Sequence, residues 1–282
     1  MNERMTLRRA WRYVPLLVWT VFVALPIYWM VVTAFKDNTA IYNGARWIPW
    51  VDFTPTTEAW HEIIGGTSSI LGPLQHSLII TSVATVIAVF FGSLAGYGLA
   101  RFPLKLGFMR NDDIAFFIIS QRIMPPVVVV LAFFMLYKYL HLLDSLLGMI
   151  IIYTGFSIPL ATWFMQSYFK QVPVELEEAA YIDGDNRLTA FLRVALPLTL
   201  PGLIATTLLT FSFVWNEFLF AVILTSDKAT TLPITIAVQQ GEQGTSWWNI
   251  CAISIISTAP MVFVAIFLQK RLVTGLLGGA LK

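Results

Sequence analysis

The sequence is short of charge. Only 12% of its 282 residues are Asp, Glu, Lys or Arg, about half the ~25% of an ordinary soluble domain. A water-soluble fold that is 57% hydrophobic would leave large apolar patches open and aggregate. The scarcity excludes a soluble globular protein and makes the bilayer the solvent. The net charge of +2 is too weak to hold nucleic acid. Cysteine occurs once, at Cys251, which excludes an intrachain disulfide. The three histidines, His61, His76 and His141, are scattered near expected membrane boundaries and lack the spacing of a metal site. No G-x-x-x-x-G-K-[ST] phosphate loop occurs, and no nucleophile–base pair stands out. The chain is therefore expected to have no catalytic residue, no metal and no bound cofactor, and a membrane enzyme lacks the clustered acids and histidines it would need.

What the sequence has is apolar length. A membrane helix takes about 20 apolar residues, and six stretches meet this, at about 13–35, 75–100, 114–137, 145–169, 198–224 and 249–268. Backbone in lipid must satisfy its own hydrogen bonds, so these are helices; a barrel would show short alternating segments. The first run follows Arg4, Arg8, Arg9 and Arg12, as in a signal peptide, but it is too long and lacks a cleavage pattern, so it is read as a retained helix. Placing the N-terminus inside puts 13 Lys and Arg on one side and 4 on the other, with Arg122 within the third span. By the positive-inside rule both termini are cytoplasmic. The outer segments, about 36–74 and 225–248, carry Trp47, Trp50, Trp60, Trp247 and Trp248, which suit the membrane interface, and "TPTTEAWHEII" reads as a short capped helix. No linker, low-complexity run or internal repeat divides residues 1–282, which read as one domain.

One island breaks the apolar pattern: "VPVELEEAAYIDGDNRLTAFLRVALPLTLPG", from Val172 to Gly202, on the cytoplasmic side. Pro173 suits a first helical turn. Glu175, Glu177 and Glu178 favour the positive end of the helix dipole. Ala179 and Ala180 give a smooth face. Asp183-Gly184 stops the helix through a left-handed cap, Asp185 or Asn186 caps a second helix, and Pro197 and Pro201 end it. The expectation is a helical hairpin over about 173–195 that offers another protein a close approach.

This hairpin resembles the EAA loop of the inner-membrane permease subunits of bacterial ABC importers. The pattern E-A-A, three residues, G, nine residues, then aliphatic-x-L-P is carried by Glu178-Ala179-Ala180, Gly184 and Val194-Ala195-Leu196-Pro197. "LLDSLLGMIIIYTGFSIPLATWFMQSYFKQVP", "FVWNEFLFAVILT", "TTLPI" and "KRLVTGLLGGALK" are similar to the carbohydrate branch of that family, and the likeness runs from about Ser77 to Lys282, closest to the second permease of maltose-type systems. The resemblance implies an all-α integral membrane protein of six transmembrane helices with a cytoplasmic coupling hairpin, the type I ABC importer permease fold, in the bacterial inner membrane. It implies coupling through Glu178, Ala179, Ala180, Asp183, Gly184, Leu196 and Pro197. Its implied partners are two ATPase subunits carrying ATP and Mg²⁺, a second homologous permease and a substrate-binding protein, with a tail of about 271–282 reaching toward the ATPases.

Two clusters are candidates for the substrate path. Gln121 and Arg122 stand before Pro125-Pro126, and a charge within a span faces a bundle interior or a water path, unless it snorkels to the surface. Trp215, Asn216 and Glu217 offer a stacking face, an amide and an acceptor suited to sugar hydroxyls, or else a structural pair or a contact with the second permease. A neutral sugar or polyol is favoured because the loops lack a strong basic cluster; glycerol phosphate or a phosphodiester is the alternative. A self-sufficient secondary transporter would normally show an inverted repeat or more spans.

Overall fold

A computed structural model of the chain describes residues 13–66, 69–241 and 244–280, with side chains as far as residue 267. The basic residues ahead of the first run lie outside it. The described chain is helical apart from two short β-hairpins, Lys105–Leu106 with Met109–Arg110 and Gln240–Gly241 with Gly244–Thr245.

Two compact units divide it. One joins residues up to 71 with 235–259. It holds α1 (Tyr13–Thr33), α2 (Asn38–Tyr42) and α3 (Glu58–Gly65). Asp37 caps α2 by accepting from the Ala40 amide at 2.8 Å, and Asp52 closes a loop by accepting from the Trp47 and Ile48 amides, each at 2.8 Å. Thr57 precedes α3 without a side-chain capping bond, so the expected helix forms without the expected cap. Buried Asn249 donates to Glu62 at 2.9 Å, and the small core here is Val32, Ala40 and Phe53.

The second unit takes residues 72–234 and 260 onward. It carries α4 (Leu71–Arg101), α5 (Asn111–Ser120), α6 (Pro126–Tyr139) and α7 (Leu146–Lys170). Then come α8 (Val174–Ile182), α9 (Arg187–Ala190), a π-helical turn (Phe191–Ala195), α10 (Leu196–Leu198), α11 (Leu200–Trp215) and α12 (Leu219–Leu224). After α13 (Leu232–Val238), α14 (Trp247–Ala280) ends the described chain. Helices α4 and α7 approach closely at glycine: a Cβ on Gly92 would strike Ala161, and one on Gly96 would lie 2.7 Å from the Gln166 amide nitrogen. A core around Ile80, Met149, Tyr153 and Phe220 fills the unit.

Helices α1, α4, α7 and α14 are each long and apolar enough to cross a membrane. The other two expected spans differ from unbroken helices. The third is interrupted between α5 and α6 at residues 121–125, where the backbone turns before Pro125-Pro126. The fifth begins at a 75° bend between the segment 187–198 and α11, where Pro197 and Pro201 withhold amide donors and the expected second arm of the hairpin ends, but it breaks at residues 216–218. The backbone of α14 runs helical through the sixth expected span and on to Ala280, so the described part of the expected tail continues that helix.

Candidate functional site: the coupling hairpin and the interrupted spans

Helix α8 starts one residue later than the sequence suggests, with Pro173 as the cap residue rather than inside the first turn. It ends where expected. Gly184 has φ +96, a left-handed value open to glycine at no steric cost. The Asp183, Gly184 and Asp185 amides bond back to Ala179, Tyr181 and Ala180 carbonyls at 3.1, 3.1 and 2.9 Å. Of the two candidate caps for the second arm, Asn186 acts, accepting from the Thr189 amide at 2.9 Å; Asp185 instead pairs with Arg193 at 3.2 Å. Glu178, Ala179, Asp183, Gly184 and Pro197 are exposed, while Ala180 and Leu196 are half-buried. Around the turn, Ile182 is 87% exposed and Leu188 64%. Bare aliphatic side chains beside the E-A-A residues form an apolar surface for another molecule.

The hairpin's root is buried. Glu177 is 1% exposed and accepts from Arg101 Nε at 2.6 Å and Tyr97 Oη at 2.5 Å. Arg101 Nη2 also donates to the Val172 carbonyl at 2.8 Å. Beneath them Tyr97, Phe169 and Phe191 pack ring to ring, with centroids 4.7–5.9 Å apart. Charge-assisted bonds in low dielectric are strong when every partner is satisfied, so this network fastens α8 to the end of α4. Sequence reasoning placed Glu177 with Glu175 and Glu178 as a dipole-favoured acid and missed its inward turn.

The transport-path candidates sit at the two helix breaks. Exposed Gln121 and half-buried Arg122 occupy the first break and line a cavity of about 620 Å³ walled by Phe133, Tyr137, Ile152 and Phe156. Arg122 Nη1 donates to the Phe156 carbonyl at 3.0 Å, and its guanidinium lies 4.5 Å from the centre of the Phe213 ring. At the second break the expected trio is divided. Trp215, 3% exposed, stacks on Phe211 with centroids 5.8 Å apart. Asn216 is exposed, with its amide donating to the Ser212 carbonyl at 2.8 Å. Glu217 accepts from Tyr153 Oη at 2.7 Å and from the Phe220 amide at 3.1 Å, at the start of α12. Non-helical backbone at membrane depth persists only where protein encloses it or water reaches it, and Arg122 and Glu217 supply protein enclosure by bonding to α7.

A further residue went unread. Asp144, at φ 51, accepts from the amides of Ser226, Asp227, Lys228 and Ala229 at 3.0–3.2 Å. Partial burial raises its pKa, but these four donors outweigh that and hold the carboxyl at about 2. Among the described residues no group of His, Cys, Asp and Glu is arranged to hold a metal.

The family model described as "Binding-protein-dependent transport system inner membrane component" matches residues 88–277. The trehalose/maltose transport system permease MalG of Thermococcus litoralis is 32% identical over 98% of both chains. The trehalose permease SugB of Mycobacterium tuberculosis is 33% identical over 93% of both, and the diacetylchitobiose uptake permease DasC of Streptomyces coelicolor 30% over 99% of both. Among solved structures, a chain of a bacterial ABC transporter that imports alginate superposes with a TM-score of 0.70 at 22% identity, covering 96% of this chain and 98% of its own. The EAA hairpin, the apolar helices and these matches agree: the chain belongs to the inner-membrane components of binding-protein-dependent transport systems, and is a non-enzymatic permease subunit of an ABC importer.

Proposed function

We propose that the chain forms half of the translocation path for a sugar or related polyol, beside a second permease. Two ATPase subunits hold ATP and Mg²⁺ and drive it, a binding protein delivers the substrate, and both termini face the cytoplasm. The observation that carries the reading is the exposed apolar turn at Ile182 and Leu188 on a hairpin rooted through buried Glu177, a stiff lever suited to a motor's groove. The substrate class is supported by relatives whose names state trehalose/maltose, trehalose and diacetylchitobiose. Gln121, Arg122, Trp215, Asn216 and Glu217 mark the path, with exposed Gln121 and Asn216 nearest to a substrate-contact role and the other three bracing the broken helices.

Affinity purification of the tagged chain from mild detergent tests the assembly: an ATPase and a second permease are expected in stoichiometric amount. Uptake of labelled disaccharides by proteoliposomes containing the assembly and its binding protein tests the substrate class. Recovery of this chain without an ATPase, from membranes active in uptake, overturns the proposal; transport of glycerol phosphate in place of sugars overturns the sugar.

A further inference from the structure

Lys36 follows α1 and is 2% exposed. A buried ammonium is costly unless a counter-charge or a set of acceptors receives it. Among the described residues no carboxylate lies within ion-pair distance of it. The nearby Asp52 spends its carboxylate on the Trp47 and Ile48 amides. What Lys36 does have is ring faces: its Nζ lies 4.0 Å from the centre of Trp29 and 5.3 Å from that of Phe53. Such contacts return only part of the cost of drying an ammonium. Burial accordingly pushes the Lys36 pKa down, with Asp52 pulling it back and the positive charge of Arg46 adding to the depression.

The ammonium borders a cavity of about 290 Å³ walled by Trp29, Thr33, Lys36, Ile41, Trp247 and Cys251. Thr33 is 4% exposed, and its hydroxyl finds no hydrogen-bond partner among the described residues. Two residues that carry a cation without an anion and a hydroxyl without a partner thus wall one space. The remaining walls are mainly apolar, which disfavours a fully hydrated inorganic ion. Helix α1 ends beside it, and its side chains from Tyr13 to Tyr28 are all exposed, as suits a helix bathed in lipid.

We propose that this cavity binds the phosphodiester headgroup of an anionic phospholipid, with Lys36 supplying the charge, Thr33 a hydroxyl donor, and Trp29 and Trp247 the amphipathic walls that such headgroups meet at interfaces. The positive charge of Arg46, outside the cavity wall but felt at Lys36, disfavours a choline there.

Cys251, the chain's single cysteine, lines the same cavity and reports on it. The test uses the assembled transporter in nanodiscs, follows modification of Cys251 by mass, and compares a sulfonate-bearing with an ammonium-bearing methanethiosulfonate reagent. In phosphatidylcholine the sulfonate reagent should react faster, and phosphatidylglycerol should slow it by about fivefold, the effect of one basic residue on an anionic lipid. Lys36→Arg should keep this protection and Lys36→Met abolish it. Equal rates for the two reagents, or equal rates in the two lipids for the unsubstituted protein, overturn the site without reference to any variant. Protection by inorganic phosphate in phosphatidylcholine alone overturns lipid as the source of the anion.

Discussion

Arg101 and Glu177 lie 76 positions apart and meet end to side at 2.6 Å, with side chains 7% and 2% exposed. The pair joins the end of α4 to the first arm of the EAA hairpin. Removing one partner strands the other charge in low dielectric, at a cost of ~3–5 kcal/mol. Glu177→Ala is expected to leave membrane insertion intact, open α8 to protease and abolish uptake. Glu178→Ala, the next residue along and about a quarter of a turn round on the exposed side, should leave protease resistance unchanged. Equal protease sensitivity of the two variants would refute the asymmetry.

Gly184 tests the turn itself. A Cβ there meets nothing within 4 Å, so the effect of substitution is conformational rather than steric. Forcing a branched residue into the left-handed region costs ~1–2 kcal/mol. Gly184→Leu should reduce ATP-coupled uptake while expression and assembly hold, and Gly184→Asn, which tolerates that region, should retain most of it. Transport assays at matched expression decide; normal uptake by the leucine variant counts against docking at this turn.

Two glycines on α4 make a matched pair. Gly98 has open space around it, whereas a Cβ on Gly96 would lie 3.0 Å from both the Met165 Cβ and the Thr162 carbonyl oxygen. Overpacking of this kind costs ~1–3 kcal/mol. Gly96→Ala should lower the thermal unfolding midpoint in detergent, and Gly98→Ala should leave it in place.

Asp144 confers a pH dependence with a defined sign. Its folded-state pKa of about 2 lies below the ordinary 3.8, so the carboxylate stabilises the folded loop fully above about pH 4. That contribution fades as pH falls toward 2. Hydrogen exchange should find the amides of residues 226–229 protected at pH 5 and progressively less protected as the pH falls toward 2. Asp144→Ala, which removes both acceptor oxygens, should open them at both ends of this range.

Asn216 and Glu217 are neighbours with separable roles. Glu217→Ala removes the acceptor for Tyr153 and for the first turn of α12, and should lower stability. Asn216→Ala deletes only a bond to Ser212 from an exposed side chain; it should keep stability and raise the KM for sugar uptake. Unchanged uptake kinetics for that variant would make Asn216 structural.

The hairpin was legible because its signals are local: an asparagine cap, a glycine turn and prolines act within a few residues of themselves. The sense of Glu177 was not, since its partner comes from α4 and a run of acids offers no mark of which one turns inward. Pro125-Pro126 stand at the first break, where Pro126 opens α6. The second has neither proline nor glycine at residues 216–218; it is held by Glu217 capping α12, a tertiary outcome that hydropathy cannot register. Asp144 was read only as part of a family-like run, because its four donors lie more than 80 positions away.

The elbow at Thr199 has a mechanical meaning. The hydroxyl of buried Thr199 bonds back to the Ala195 and Leu196 carbonyls at 2.9 and 3.1 Å, which braces the 75° corner between the hairpin's second arm and α11. Two rods fixed at so steep an angle transmit little thrust along their axes. A pull on the segment 187–198 would therefore turn α11 like a crank rather than drive it lengthwise like a piston.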